Sequence, residues 1–100
     1  MDVYQAIADS NRRKLLDLLS SQERSVQELA RSFEFTIGAV SQHLKILLAS
    51  GLVTRRKEGR FRFYRAQFET LKEVHEWTEQ YSQFWESRLD RLGDYLDKTP

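Results

Sequence analysis

The side chains with the most legible chemistry are the donors in the stretch Thr36 to Gly51, TIGAVSQHLKILLASG. Ser41, Gln42 and Lys45 bring a hydroxyl, an amide and an ammonium close together, and Gly38 and Ala39 beside them are too small to hold them off a surface. In the major groove of B-DNA, glutamine pairs bidentately with adenine and lysine reaches guanine or phosphate. A second set of cations follows: Arg55, Arg56, Lys57, Arg60, Arg62 and Arg65 stand against the single acid Glu58. Other chemistries lack their residues. The absence of cysteine excludes disulfides, thiolate metal sites and thiol redox sensing in this chain. No Ser/His/Asp or Cys/His set, acid/base pair or glycine-rich phosphate loop is assembled, so neither catalysis nor a cofactor is expected.

The elements that must position these residues can be read from caps and periodicity. Thr36 can N-cap a helix and Gly51 can take the left-handed conformation that ends one after Ser50. Between them Val40, Leu44, Leu47 and Leu48 recur at the spacing of one buried stripe, leaving the small polar residues on the opposite face. Upstream, Ser25-Val26-Gln27-Glu28 is a capping box that starts a helix at Val26, with Val26, Leu29, Ala30 and Phe33 on its buried face. Two short helices joined by a tight turn form a helix-turn-helix pattern, although the turn lacks its usual glycine. An ordinary amphipathic helix is the alternative reading of the same stretch.

Val3, Tyr4, Ile7 and Ala8 make a short apolar helical face, and Asp9, Ser10 and Asn11 predict a break near residue 9. The next helix carries Leu15, Leu16, Leu18 and Leu19, with Arg12, Arg13 and Lys14 in its first turn. Cations there oppose the helix dipole, so a neighbouring anion is expected: Asp9, Asp17 or a DNA phosphate. After Gly51 the residues 52–56 and 60–65 read as two strands joined across Lys57-Glu58-Gly59, a hairpin with Phe61 and Phe63 on one face and Arg60, Arg62 and Tyr64 on the other. Such a hairpin after a helix-turn-helix is a wing, whose cations can follow the DNA backbone; a solubilising edge hairpin is the alternative. From Phe68 the spacing predicts one long helix whose stripe includes Leu71, Val74, Trp77, Tyr81, Phe84, Trp85, Leu89 and Leu92. About 28 residues at 1.5 Å each give roughly 42 Å, more than a 66-residue body covers, so a second copy of the chain is expected on the uncovered part.

Charge divides along the same lines. Residues 1–66 hold 12 Lys/Arg against 7 Asp/Glu, net +5, and residues 67–100 hold 4 against 8, net −4. The excess of positive charge lies with the helix-turn-helix, the footprint of phosphate contact. One hundred residues of uniform texture predict one domain, small enough to bury only about 60 to 70% of its unfolded surface. With no apolar run near the ~20 residues that span a bilayer, and no basic start or apolar signal core in MDVYQAIAD, a soluble cytoplasmic protein is expected.

Several strings together resemble the ArsR/SmtB family of winged-helix repressors, over nearly the whole chain. YQAIADSNRRKLLDLL is similar to the family's opening F-x-A-L-[AS]-D-P-T-R-R-x-I-L-x-x-L, SVQELA to the helix before the turn, AVSQHLKILLASGLV to the recognition helix and EGRFRFYRA to the wing. Gly38 stands where many members have a proline or a polar residue. The resemblance implies a homodimer that binds operator DNA and represses transcription, with Ser41, Gln42 and His43 as base readers, Lys45 on phosphate, and Arg60 with Arg62 as wing contacts. It does not extend to metal sensing. Ser25-Val26-Gln27-Glu28-Leu29 replaces the C-V-C-D-L string of arsenic and lead sensors, and Glu73, His75, Glu76 and Glu79, with one imidazole, sit later than the family's zinc and nickel site.

The expected fold is therefore mainly α with a two-stranded β-hairpin, in the order α-α-α-α-β-β-α. It is a single winged helix-turn-helix domain over 1–100, with a recognition helix at 36–50, a wing at 52–66 and a C-terminal dimerisation helix at 68–97. The DNA-facing set is Thr36, Gly38, Ser41, Gln42, His43 and Lys45 on the helix, with Arg55, Lys57, Arg60 and Arg62 on the wing. The dimerisation set is Val3, Tyr4, Leu71, Trp77, Tyr81, Phe84, Trp85, Leu89 and Leu92; no residue is assigned to a metal. The expected partners are double-stranded operator DNA in an inverted repeat and a second copy of the chain, with no membrane. Two rival functions follow from the same residues: a protein-interaction module that uses the aromatic stripe, or a repressor with a small-molecule site between C-terminal helices.

Overall fold

Asp2 opens the first helix by accepting the Gln5 backbone N–H at 2.8 Å, while the Gln5 side chain accepts the Asp2 N–H at 3.1 Å. The helix so capped is α1 (Val3–Ile7) of the computed structural model, which describes residues 1–86. Asp9 breaks the chain and caps α2 (Ser10–Leu19), accepting from the N–H groups of Asn11 and Arg12. Asp9, one of the anions expected beside the cations of this turn, is therefore in place, and the Arg12 N–H bond and charge both help to lower its pKa. Arg12 donates to the carbonyls of Ala6 and Gln5 at 2.6 and 3.0 Å, and Arg13 to those of Ile7 and Ala8 at 2.7 and 3.2 Å. These are the carbonyls at the end of α1, where a helix favours cations; that of Gln5 also accepts the Ala8 N–H at 3.3 Å. The two arginine side chains thus fasten α1 to α2, while the Asp9 carboxylate serves the backbone of the same turn.

The capping box forms as the sequence predicts, with Ser25 Oγ accepting from Glu28 N at 3.2 Å and Glu28 accepting from Ser25 N at 3.1 Å. It starts α3 (Val26–Phe33), which ends on Glu34 in the left-handed conformation, φ 57°. Glutamate here occupies the backbone state that a turn glycine would adopt without a Cβ clash. Thr36 then accepts the Ala39 N–H at 3.1 Å and begins α4 (Ile37–Ala49). At its far end Gly51, φ +81°, donates to the carbonyl of Leu48 while Leu52 donates to that of Leu47, the paired bonds of a Schellman stop.

The next two strands, β2 (Val53–Glu58) and β3 (Phe61–Ala66), form the hairpin, and a third strand joins them. The two-residue β1 (Arg24–Ser25) pairs antiparallel with β3, Arg24 opposite Tyr64 and Ser25 opposite Phe63, in the order β1-β3-β2. The two-stranded expectation is corrected to three. Two residues are too few to show an alternating pattern, and Ser25 reads first as a helix cap. Leu15, Leu16 and Leu19 of α2, Leu29 of α3, Val40, Leu44 and Leu47 of α4, and Leu52, Val53 and Tyr64 of the sheet form one buried core. Tyr64 is 6% exposed, so the wing face that carries it with Arg60 and Arg62 also anchors the hairpin to the body.

The predicted single helix from Phe68 is not continuous. A 3-10 turn (Phe68–Leu71) leads into α5 (Lys72–Glu79), the chain turns at Gln80 and Tyr81, and it is helical again over 82–86. At the break, Thr78 Oγ1 donates to the His75 carbonyl and Gln80 Nε2 to the Trp77 carbonyl, each at 3.0 Å, competing with the backbone for the acceptors of the last turn. The remainder of the predicted stripe, Leu89 and Leu92 included, lies outside the described residues. Among the described residues no helix is long and apolar enough to cross a membrane.

Two stability predictions follow. Glu34→Gly relieves a left-handed L-residue at some entropic cost and should stabilise the fold by about 0.5–1 kcal/mol in urea titration; a loss of stability would show that the Glu34 side chain contributes more than its backbone strain costs. The carboxyl groups of Asp9, Glu23 and Glu28 are held below their usual range, chiefly by hydrogen bonds from Arg12 N–H, the Arg56 side chain and Ser25 N–H respectively. Because the folded pKa values are depressed, their stabilisation is complete above the ordinary carboxylate pKa and is lost as pH falls through the depressed values. Thermal melts between pH 6 and pH 3 should therefore flatten when Asp9→Asn and Glu28→Gln are combined; an unchanged slope would contradict this.

Candidate nucleic-acid interface

The burial of Val40, Leu44 and Leu47, each at most 1% exposed, decides which side of α4 faces out. Thr36, Gly38, Ala39, Ser41, Gln42 and Lys45 are all exposed. The Thr36 oxygen is occupied by its capping bond. A Cβ added at Gly38 would meet only Thr36 Oγ1, at 3.9 Å, so nothing within the protomer requires glycine there and the bare backbone keeps the outer surface low. His43 departs from the expected set. It is half-buried, its Nδ1 is enclosed without a hydrogen-bond partner, and its neighbours are Asn11, Leu15, Phe33, Phe35 and Val40. Its position beside the buried stripe turns it toward α2 and away from the strip of Ser41, Gln42 and Lys45.

The wing sorts its cations by strand register. Arg55 lies opposite Tyr64 and Lys57 opposite Arg62, and directly paired residues share a face. That face looks across an open cleft of about 540 Å³, with Ser41 and Lys45 on one wall and Arg55, Arg60, Arg62 and Tyr64 on the other. Arg56, paired with Phe63, points to the opposite face. There its guanidinium lies 4.7 Å from the centre of the Phe63 ring and donates to Glu58 at 2.6 Å and to both carboxylate oxygens of Glu23. These bonds raise the pKa of Arg56 and lower that of Glu23. One wing arginine is thus committed to the body, joining the hairpin to the turn after α2. Among the described residues, Arg55, Lys57, Arg60, Arg62 and Lys45 make no ion pair.

A second surface lies at α1, α5 and the residues 81–85 that follow α5. The Tyr4 and Trp77 rings meet edge-on at 6.1 Å and those of Trp77 and Tyr81 at 5.7 Å, while the Tyr4 hydroxyl donates to the Glu73 carbonyl at 3.3 Å. Tyr4, Trp77, Tyr81, Phe84 and Trp85 remain 39–67% exposed. Val3, expected beside them, is 2% exposed and belongs to the protomer's own core, because the face of α1 that carries it packs inward. Leu71 and Val74 are partly buried against the same core.

Residues 9–55 match the model of the bacterial regulatory protein arsR family, and the transcriptional repressor SdpR of Bacillus subtilis is 30% identical over 76% of this chain and 84% of its own. The chain belongs to the ArsR family. Its fold agrees: the crystal structure of a possible transcriptional regulator for arsenical resistance superposes with a TM-score of 0.72 at 40% identity, covering 100% of this chain and 99% of that one. A homodimeric winged helix-turn-helix DNA-binding domain from Mycobacterium bovis gives 0.66 at 28% identity, over 81% and 76% of the two chains. The protein is accordingly a DNA-binding transcriptional regulator of the ArsR family and not an enzyme.

Two substitutions separate base reading from phosphate binding at this interface. Gln42→Ala should lower the preference for a specific site by about 1 to 3 kcal/mol, read as the ratio of specific to non-specific affinity. Arg60→Ala should weaken binding to all sequences alike and reduce the salt slope by about one. If both variants lose affinity equally on every sequence, Gln42 is not a base reader.

Proposed function

We propose that this ArsR-family regulator is a homodimeric repressor that binds an inverted-repeat operator and does not sense transition metals. The observation that carries the reading is the single cleft between α4 and the wing, which collects Ser41, Lys45, Arg55, Arg60 and Arg62 on facing walls. Seated on duplex DNA, α4 enters the major groove by its N-terminal half, Ser41 and Gln42 address base edges, and the cations of the wing and Lys45 follow the phosphates.

The exposed aromatic surface of α1, α5 and the residues just after α5 is the dimer contact in this reading. Tyr4, Trp77, Tyr81, Phe84 and Trp85 cover themselves by twofold pairing, as Trp and Tyr do at interface centres. Two reading helices then occupy major-groove segments about 34–36 Å apart, and the twofold axis demands an inverted repeat. Repression follows from occupying promoter DNA, and the relative from Bacillus subtilis is itself named a transcriptional repressor.

The exclusion of metal sensing rests on what the relevant side chains do. Ser25 and Gln27 stand where sensors of the family carry thiolates; neither offers a soft sulfur ligand, and Ser25 is engaged with Glu28 in the α3 capping box. On α5, His75 faces Glu79 at 3.4 Å as a surface pair.

Selection of bound fragments from the source genome, with the solution mass of the protein measured alongside, tests the proposal. Enrichment of one inverted repeat by a dimer is the expected result; a folded dimer that enriches no sequence at low salt would move the function to a protein-interaction module. If six to ten phosphates are neutralised per dimer, affinity should fall about 10³ to 10⁵ between 50 and 200 mM salt, and an affinity independent of salt would overturn the electrostatic account.

A further inference from the structure

Ile37 is an apolar side chain placed among cations and donors. It is the first residue of α4 and is 51% exposed, so it takes little part in the protomer's core. Ser41 and Lys45 follow it at i+4 and i+8, on one strip of the helix, and all three line the cleft faced by Arg55, Arg60 and Arg62. A β-branched residue gives a helix start nothing that alanine would not give, since it loses rotamer freedom there. Burying Ile37 against an apolar protein surface would strip water from the surrounding cations without giving them partners.

The major groove of B-DNA satisfies both requirements at once. It is walled by phosphates, which match the cations, and each thymine presents its C5 methyl group on the groove floor as an apolar spot beside hydrogen-bonding edges. From these placements we propose that Ile37 is a specificity-determining residue that packs on the methyl group of one thymine in each operator half-site. Its position one turn before Ser41 sets the order of contacts, the methyl being read at the leading end of the helix and the polar edges further along. The inference rests on α4 as the reading helix.

The experiment measures binding by fluorescence anisotropy on the selected duplex, replacing each thymine of one half-site in turn by uracil, which removes the methyl group alone. Wild-type protein should lose about fourfold at one of these thymines, the effect of one buried methyl. Ile37→Ala should bind the unmodified duplex more weakly and lose nothing further at that same thymine, while the other replacements affect both proteins equally. Helicity is checked first, and Ile37→Thr, which keeps the β-branch, replaces the alanine variant if that variant fails to fold. A wild-type protein that selects one sequence, yet shows no thymine whose methyl is coupled to residue 37, overturns the role of Ile37 and leaves α4 as the reader. Absence of any sequence preference in the wild type overturns both.

Discussion

The geometry of the interface depends on the backbone at Gly51. With φ at +81° and its N–H bonded to Leu48, this residue ends α4 and turns the chain directly into β2. Leu52 and Val53, immediately after it, are buried at 0% and 2%, so the start of the wing is held in the same core as the inner stripe of α4. The Gly51 carbonyl accepts from Thr70 Oγ1 at 2.6 Å and the Leu52 carbonyl from Gln67 N at 2.8 Å, which draws the segment before α5 to the same point. A Cβ at Gly51 would stand 3.4 Å from Thr70 Oγ1 on a backbone that L-residues rarely adopt. Reading helix, wing and the approach to the aromatic surface therefore take their relative placement from one glycine.

Around that junction the positive charge is divided between structure and binding. Arg12 and Arg13 complete the end of α1, and Arg56 bridges the wing to Glu23. Those contacts satisfy donors that would otherwise compete for phosphate. Arg55, Arg60 and Arg62 face the cleft because strand pairing alternates side chains between two faces, and Tyr64 fixes which face turns inward. An exposed ion pair such as Arg56–Glu23 adds little to stability by itself. Its consequence here is directional, since the stack on Phe63 and the two carboxylates hold Arg56 on the side away from α4.

The two exposed surfaces answer to different physics. The cleft is cationic and open, suited to a ligand whose affinity comes from counterion release and whose specificity comes from a few base contacts. The patch of Tyr4, Trp77 and Tyr81 is aromatic and already internally packed edge to face, so a partner meets a preformed surface. The two surfaces lie on different elements of the chain.

Local chemistry was legible in the sequence. Asp9, the Ser25–Glu28 box, Thr36 and Gly51 mark helix ends through bonds between residues at most a few positions apart, and the spacing of Val40, Leu44 and Leu47 assigns the two faces of α4. Motif strings along most of the chain carried the family. The tertiary structure alone decided what each long or half-buried side chain meets. Arg12 and Arg13 bind carbonyls of the preceding helix, His43 turns to α2, Val3 enters the core, and Arg56 crosses to a glutamate 33 residues away. Periodicity records which face of an element is apolar, but not which other element approaches it. Partners such as Ala6 for Arg12 or Glu23 for Arg56 are set by how the elements pack, and β1 exists only because folding brings Arg24 and Ser25 to the free edge of β3.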